Sequence, residues 1–259
     1  MTAIVGILCK DGVVIGSDSA STFAAANQLT IEQTTKKCSI IKDTIICGAG
    51  AVGLNQRFQE IVNKKWEDIS NNHTSPILAC VDLANETLKN FDRTAINSPN
   101  INFACLLGFV LDGQAHLCEF EILTFQPEIK SIEGAWYVSL GSGQGLTDPF
   151  LGFVNKVFWN NEQPNLKEGI YGAIWALEHV INLNTGGVNG PIQIVTLSID
   201  DNGLPQTKLF NEQELAEHKE YVSNFEKEIK EIKNKLNNAQ AAQIPPSPTI
   251  TPQESSLRI

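Results

Sequence analysis

The chain has 259 residues, 42% hydrophobic and 19% charged, a balance ordinary for a globular protein with one large core or two small ones. Its formal net charge of -10 offers no basic footprint, which argues against nucleic acid or an anionic membrane surface as partner. No apolar run approaches the ~20 residues that span a bilayer, and none reads as a secretion leader. Six cysteines form no Cys-x-x-Cys pair and mostly sit in apolar runs, a pattern expected of buried thiols in a cytoplasmic, reducing setting.

In chain order, two apolar runs flank the turn signal Lys10-Asp11-Gly12 and predict a hairpin over residues 3–18 that begins at the N-terminus. A polar stretch, 19–35, precedes two short strands at 38–41 and 44–48. Gly48-Ala49-Gly50 then leads toward a helix at about 54–68, with Phe58, Ile61, Val62 and Trp66 on one stripe. Pro76 suits the first turn of a second helix to about 91. A second hairpin is expected at 103–122, turning at Asp112-Gly113, and a strand at 135–140 ends in Gly141-Ser142-Gly143. Helices at about 148–159 and 166–183 and a final strand at 192–199 complete the pattern. Strands, two helices, strands and two helices predict an α+β domain over 1–205, with antiparallel sheets between outer helix pairs.

The last fifty residues differ in kind. Leu215, Val222, Phe225, Ile229, Ile232 and Leu236 step mostly by three and four among Lys and Glu, predicting an amphipathic helix within 206–240. It suits either a short coiled coil or packing on its own domain. Residues 241–259, rich in proline, have no packing pattern and read as disordered.

One feature of the first hairpin carries chemistry. If Met1 is trimmed, Thr2 bears a hydroxyl and a free α-amine together, and an amine with a pKa near ~8 can take the hydroxyl proton near neutral pH. Such a nucleophile needs a nearby cation to depress the amine pKa, a carboxylate to hold that cation, and backbone N–H groups facing the oxyanion. Asp18 ends the strand opposite Thr2, Lys37 heads the strand 38–41, and Gly48-Ala49-Gly50 offers backbone without side-chain obstruction. Each has an ordinary structural reading too: Asp18 as a turn residue, Lys36-Lys37 as a solvated pair, and the glycines as tight passages into helices.

Taken together, Thr2-Ala3-Ile4-Val5-Gly6, the segment 10–19, Lys36-Lys37-Cys38-Ser39-Ile40-Ile41-Lys42-Asp43, Gly48-Ala49-Gly50, Leu140-Gly141-Ser142-Gly143 and Asn184-Thr185-Gly186-Gly187 resemble the proteasome β-type threonine peptidases of the N-terminal nucleophile hydrolase superfamily. The resemblance covers about residues 2–200 and implies a four-layer αββα sandwich. It implies Thr2 as nucleophile, Asp18 and Lys37 as its activating pair (with Lys36 the adjacent alternative), and Gly50 as oxyanion donor beside Ala49. Ser142 and Thr185 are implied to orient the amine. Asn182 stands where the family usually carries an aspartate, keeping the size and an acceptor oxygen but no negative charge.

The implied reaction is hydrolysis of peptide bonds in a peptide or unfolded protein, without metal or organic cofactor. The implied assembly is a homo-oligomeric ring, with room for an ATPase partner and with the helix of 206–240 as an additional contact. Two other readings stay open: a noncatalytic scaffold subunit and a small-molecule amidohydrolase of the same superfamily.

Overall fold

The computed structural model describes residues 2–25, 28–96, 101–183 and 187–238. Strands β1 (Ile4–Cys9) and β2 (Gly12–Ser17) form the expected hairpin, in register from Ile4↔Ser17 to Cys9↔Gly12. Every residue of both strands is buried. Period-two alternation sends Val5, Ile7 and Cys9 to one face and Ile4 and Leu8 to the other, and each face meets its own core. Burial on both faces is why these runs are continuously apolar.

Around this hairpin, β10 (Tyr137–Leu140) joins β1, β11 (Gln193–Ile199) joins β2, and β12 (Pro205–Leu209) closes the edge, all antiparallel. The second sheet runs in order β5 (Cys38–Ile41), β6 (Thr44–Gly50), β7 (Phe103–Leu111), β8 (Gln114–Phe120) and β9 (Pro127–Ile129). The sheets face one another through Ile4, Val13 and Ile15 on one side and Ile45, Leu106 and Leu117 on the other.

Helices α1 (Val52–Asn71) and α2 (Pro76–Asp92) cover the second sheet. There Phe58 lies 5.4 to 5.8 Å, centroid to centroid, from Phe103, Phe120 and Phe125 in tilted and edge-on contacts. Burying each such ring stabilises the fold by roughly 2–3 kcal/mol. Helices α3 (Gln144–Val157) and α4 (Leu166–Asn182) cover the first sheet, and an Asn165–Glu168 capping box starts α4. The result is the four-layer αββα sandwich, with three apolar cores interleaved between its layers.

Three local expectations are corrected. The polar stretch 19–35 is largely a two-stranded ribbon, β3 (Ala20–Ala25) with β4 (Gln28–Thr34), its register shifted between Phe23 and Ala24. Helix α3 begins at Gln144 rather than 148 and carries Pro149 inside it, so it follows directly on the Gly141–Gly143 segment. Strand β12 extends the first sheet past residue 205, where the sequence pattern ends the domain; its side chains lie on an exposed edge and show no apolar alternation. The C-terminal helix α5 (Glu212–Asn238) packs on α4, burying Leu215 and Val222, with Phe225 against Phe158 and Trp175. Further along, Ile229 and Ile232 are exposed. All six cysteines are buried free thiols. Residues 241–259 lie outside the described part of the chain.

Candidate active site

Strand order brings the four elements that flank Thr2 to one end of the sandwich. Thr2 precedes β1, Asp18 follows β2, Lys37 precedes β5 and Ser142 follows β10. Because β1 sits between β2 and β10, Asp18 and Ser142 approach Thr2 from opposite sides.

The Asp18 side chain is fully buried, and four donors surround its carboxylate. Oδ1 accepts from Ala3 N at 2.9 Å and from Lys37 Nζ at 2.7 Å, and Oδ2 accepts from Ala20 N at 3.0 Å and Asn189 N at 3.4 Å. A buried carboxylate is tolerated only when its acceptor sites are filled in this way. Lys37, also buried, donates from Nζ to Thr2 Oγ1 at 3.3 Å. The ion pair thus ends on the threonine hydroxyl.

On the far side, Thr2 N lies 3.0 Å from Ser142 Oγ. In the full chain this nitrogen is the amide of the Met1–Thr2 bond, and it becomes the α-amine once that bond is cut. The Thr2 carbonyl accepts from Gly143 N at 3.0 Å. Gly141 makes this approach feasible: at φ +92° an added Cβ would sit 2.3 Å from Thr2 O, so only glycine fits.

Of the residues expected at the site, Thr2, Asp18, Lys37 and Ser142 converge. Of the two adjacent lysines, Lys37 joins Asp18, whereas Lys36 is exposed. Ala49 and Gly50 line a cleft of about 550 Å³ that also contains Thr2, Lys37 and Ser142. Pairing of β5 with β6 stops at Cys38↔Cys47, while β7 stays paired through Gly50↔Phe103. Among the described strands, the other edge of Gly48–Gly50 therefore has no neighbour and can accept an extended chain. Gly50, at φ +106°, would place a Cβ 2.3 Å from Asn102 O, so it too must be glycine.

One expected residue does not join the group. Asn182 is the exposed last residue of α4, and among the described residues no hydrogen bond ties it to Thr2, Asp18, Lys37 or Ser142. Thr185 lies outside the described residues.

Sequence reading missed Gln193, at the head of β11 and in register with Ser17. Its Oε1 accepts from Lys37 N at 2.9 Å and Cys38 N at 3.2 Å, and its Nε2 donates to Thr35 O at 2.6 Å. One amide thereby fixes the backbone that carries Lys37. Nothing local marks it, because donor and acceptor segments lie more than 150 positions apart. Beneath the site, the Cys38 thiol is held below the usual thiol range, first by a hydrogen bond from Cys47, while burial pushes Cys47 well above it.

Two facing antiparallel sheets between helix pairs form the fold of the N-terminal nucleophile hydrolases, and Thr2 stands directly ahead of β1. A family model described as proteasome subunit matches residues 2–193, and the chain belongs to that family. Among solved structures it is similar to an Anbu (Gly-1) mutant from Hyphomicrobium sp. strain MC1, at 13% identity and a TM-score of 0.66 over 92% of this chain and all of that one. It is equally similar in fold to Anbu (ancestral beta-subunit) from Yersinia bercovieri, at 16% identity and a TM-score of 0.66 over 91% of this chain and 98% of that one. No curated protein sequence matches the chain.

Proposed function

We propose that this chain is a threonine-type endopeptidase that acts on peptides or unfolded proteins through Thr2 once Met1 is removed. One observation carries the reading: Thr2 Oγ1, Lys37 Nζ and the buried Asp18 carboxylate form a continuous chain at 3.3 and 2.7 Å, with Ser142 Oγ 3.0 Å from Thr2 N.

In this reading the freed α-amine takes the Thr2 hydroxyl proton, directly or through one water, as the oxygen attacks the substrate carbonyl. The neighbouring Lys37 cation disfavours a second positive charge on that amine and so keeps it basic in the neutral form. The Gly50 N–H, on the open edge of β6, stabilises the oxyanion. Collapse of the tetrahedral intermediate expels the amine product with the transferred proton and leaves an ester on Thr2. Water then attacks that ester, frees the acid product and returns the proton to Thr2 Oγ1. Ser142 orients the amine, a task the family resemblance also gives to Thr185, and Asn182 adds no charge.

Membership of the proteasome subunit family supports assembly with other subunits, here proposed as a homo-oligomeric ring, and leaves an ATPase partner open. The six free thiols suit a reducing compartment, and the proposal places the protein in the cytoplasm.

The test combines intact mass with labelling by an epoxyketone or β-lactone. Loss of Met1, one label per chain, and complete loss of both label and turnover in a folded Thr2→Ala variant are expected. Full turnover by Thr2→Ala would remove Thr2 as nucleophile. Retained Met1 with no labelling would leave a noncatalytic scaffold subunit, and turnover of small amides but not peptides would assign an amidohydrolase.

A further inference from the structure

Adjacent residues entering a strand project in opposite directions. Lys37 turns inward to the Asp18 carboxylate, 2.7 Å away, where both groups are buried. Lys36 is exposed and lines the cleft beside Thr2. Among the described residues no carboxylate pairs with Lys36, although seven other lysines each meet an acidic side chain in addition to Lys37. The described lining holds no Asp or Glu; apart from Lys36 and Lys37 its side chains are neutral, Val52, Asn55, Asn102 and Gln144 among them. With Lys37 neutralised, Lys36 is the one uncompensated charge that the described lining presents, in a chain whose net charge is -10.

We infer that Lys36 is a specificity-determining residue that favours peptides carrying a carboxylate side chain close to the cleaved bond. The inference rests on the peptidase reading above for its turnover, but not for its binding. An extended peptide laid on the free Gly48–Gly50 edge would present alternate side chains to the same wall. Only those within reach of Nζ would feel the charge, so the preference is confined to one or two substrate positions. A single partly exposed ion pair in a walled cleft suggests a preference of about three- to tenfold, which weakens as salt screens it.

The experiment uses the full chain and one neutral fluorogenic peptide in which a single residue, at each position on either side of the cleaved bond in turn, is Glu or Gln. At one or two positions Glu should exceed Gln by about three- to tenfold in kcat/KM. The ratio should persist in Lys36→Arg, fall to about one in Lys36→Met and invert in Lys36→Glu. The same peptides, titrated onto Thr2→Ala by fluorescence polarisation, should show the same order of affinity. Thr2-dependent hydrolysis with a ratio near one at every position, or a ratio untouched by Lys36→Glu, would overturn the inference and leave the peptidase reading standing. Absence of hydrolysis together with tighter, Lys36-dependent binding of Glu peptides would uphold the inference and overturn the peptidase reading.

Discussion

The two ends of the chain carry equally regular apolar patterns and meet different fates. Strands β1 and β2 are buried on both faces, between the inter-sheet core and the core under α4. In α5 the pattern is used for only half its length: Leu215 and Val222 are buried, whereas Ile229 and Ile232 are exposed. The contrast separates pattern from packing. A terminal strand enclosed on both sides positions atoms to within hydrogen-bonding tolerance, which chemistry requires. The far half of α5 leaves Ile229 and Ile232 uncovered among the described residues, which suits the expectation that this helix adds a contact in assembly.

Perturbing either end should sharpen that contrast. The largest effect is expected from Asp18→Ala, which strands the buried Lys37 cation and removes the acceptor of Ala3 N and Ala20 N. Breaking one side of a buried pair costs about 3–5 kcal/mol, so thermal unfolding followed by circular dichroism should shift down by on the order of 10 °C, with turnover abolished. Next comes Leu215→Ala at the packed end of α5, where lost burial and the resulting void should cost about 2–3 kcal/mol in denaturant titration. Its counterpart Ile232→Ser should lie within about 0.5 kcal/mol of the parent; a loss equal to that at Leu215 would mean the far half of α5 is buried in solution by another subunit. Gln193→Ala falls between these in stability, about 1–2 kcal/mol, since it leaves the Lys37 and Cys38 amides unpaired at a half-buried position. Its kinetic signature should be larger: kcat lower by on the order of tenfold or more with KM little changed, because Lys37 loses its fixed backbone rather than the cleft losing its shape. Gln193→Asn, with a shorter reach, should not restore it.

Much of the site was legible in the first fifty residues because each signal there is local. A continuously apolar strand, a tight turn, an acidic strand end and a glycine run can each be read from neighbours in sequence, and the family resemblance supplied their roles. The selection of Lys37 over Lys36 was not local; it depends on which way the chain faces as it enters β5, and Asp18 and Gln193 on other strands settle that. The ribbon β3–β4 and the edge strand β12 were missed for a related reason. The sequences of β4 and β12 are mostly polar, and β12 lies on an exposed edge, so pairing rather than apolar alternation makes these segments strands. The Gln193 clamp had no signal at all, since a side-chain amide bridging two sheets obeys no sequence period.

Chain ends usually sample many conformations, yet Thr2 is held through its own carbonyl by Gly143 N and through the next amide by Asp18. In the proposed reaction, the motional freedom that Thr2 would otherwise surrender on meeting its substrate has already been removed when the sandwich closes. Tertiary folding thus does the work of preorganisation for the proposed nucleophile.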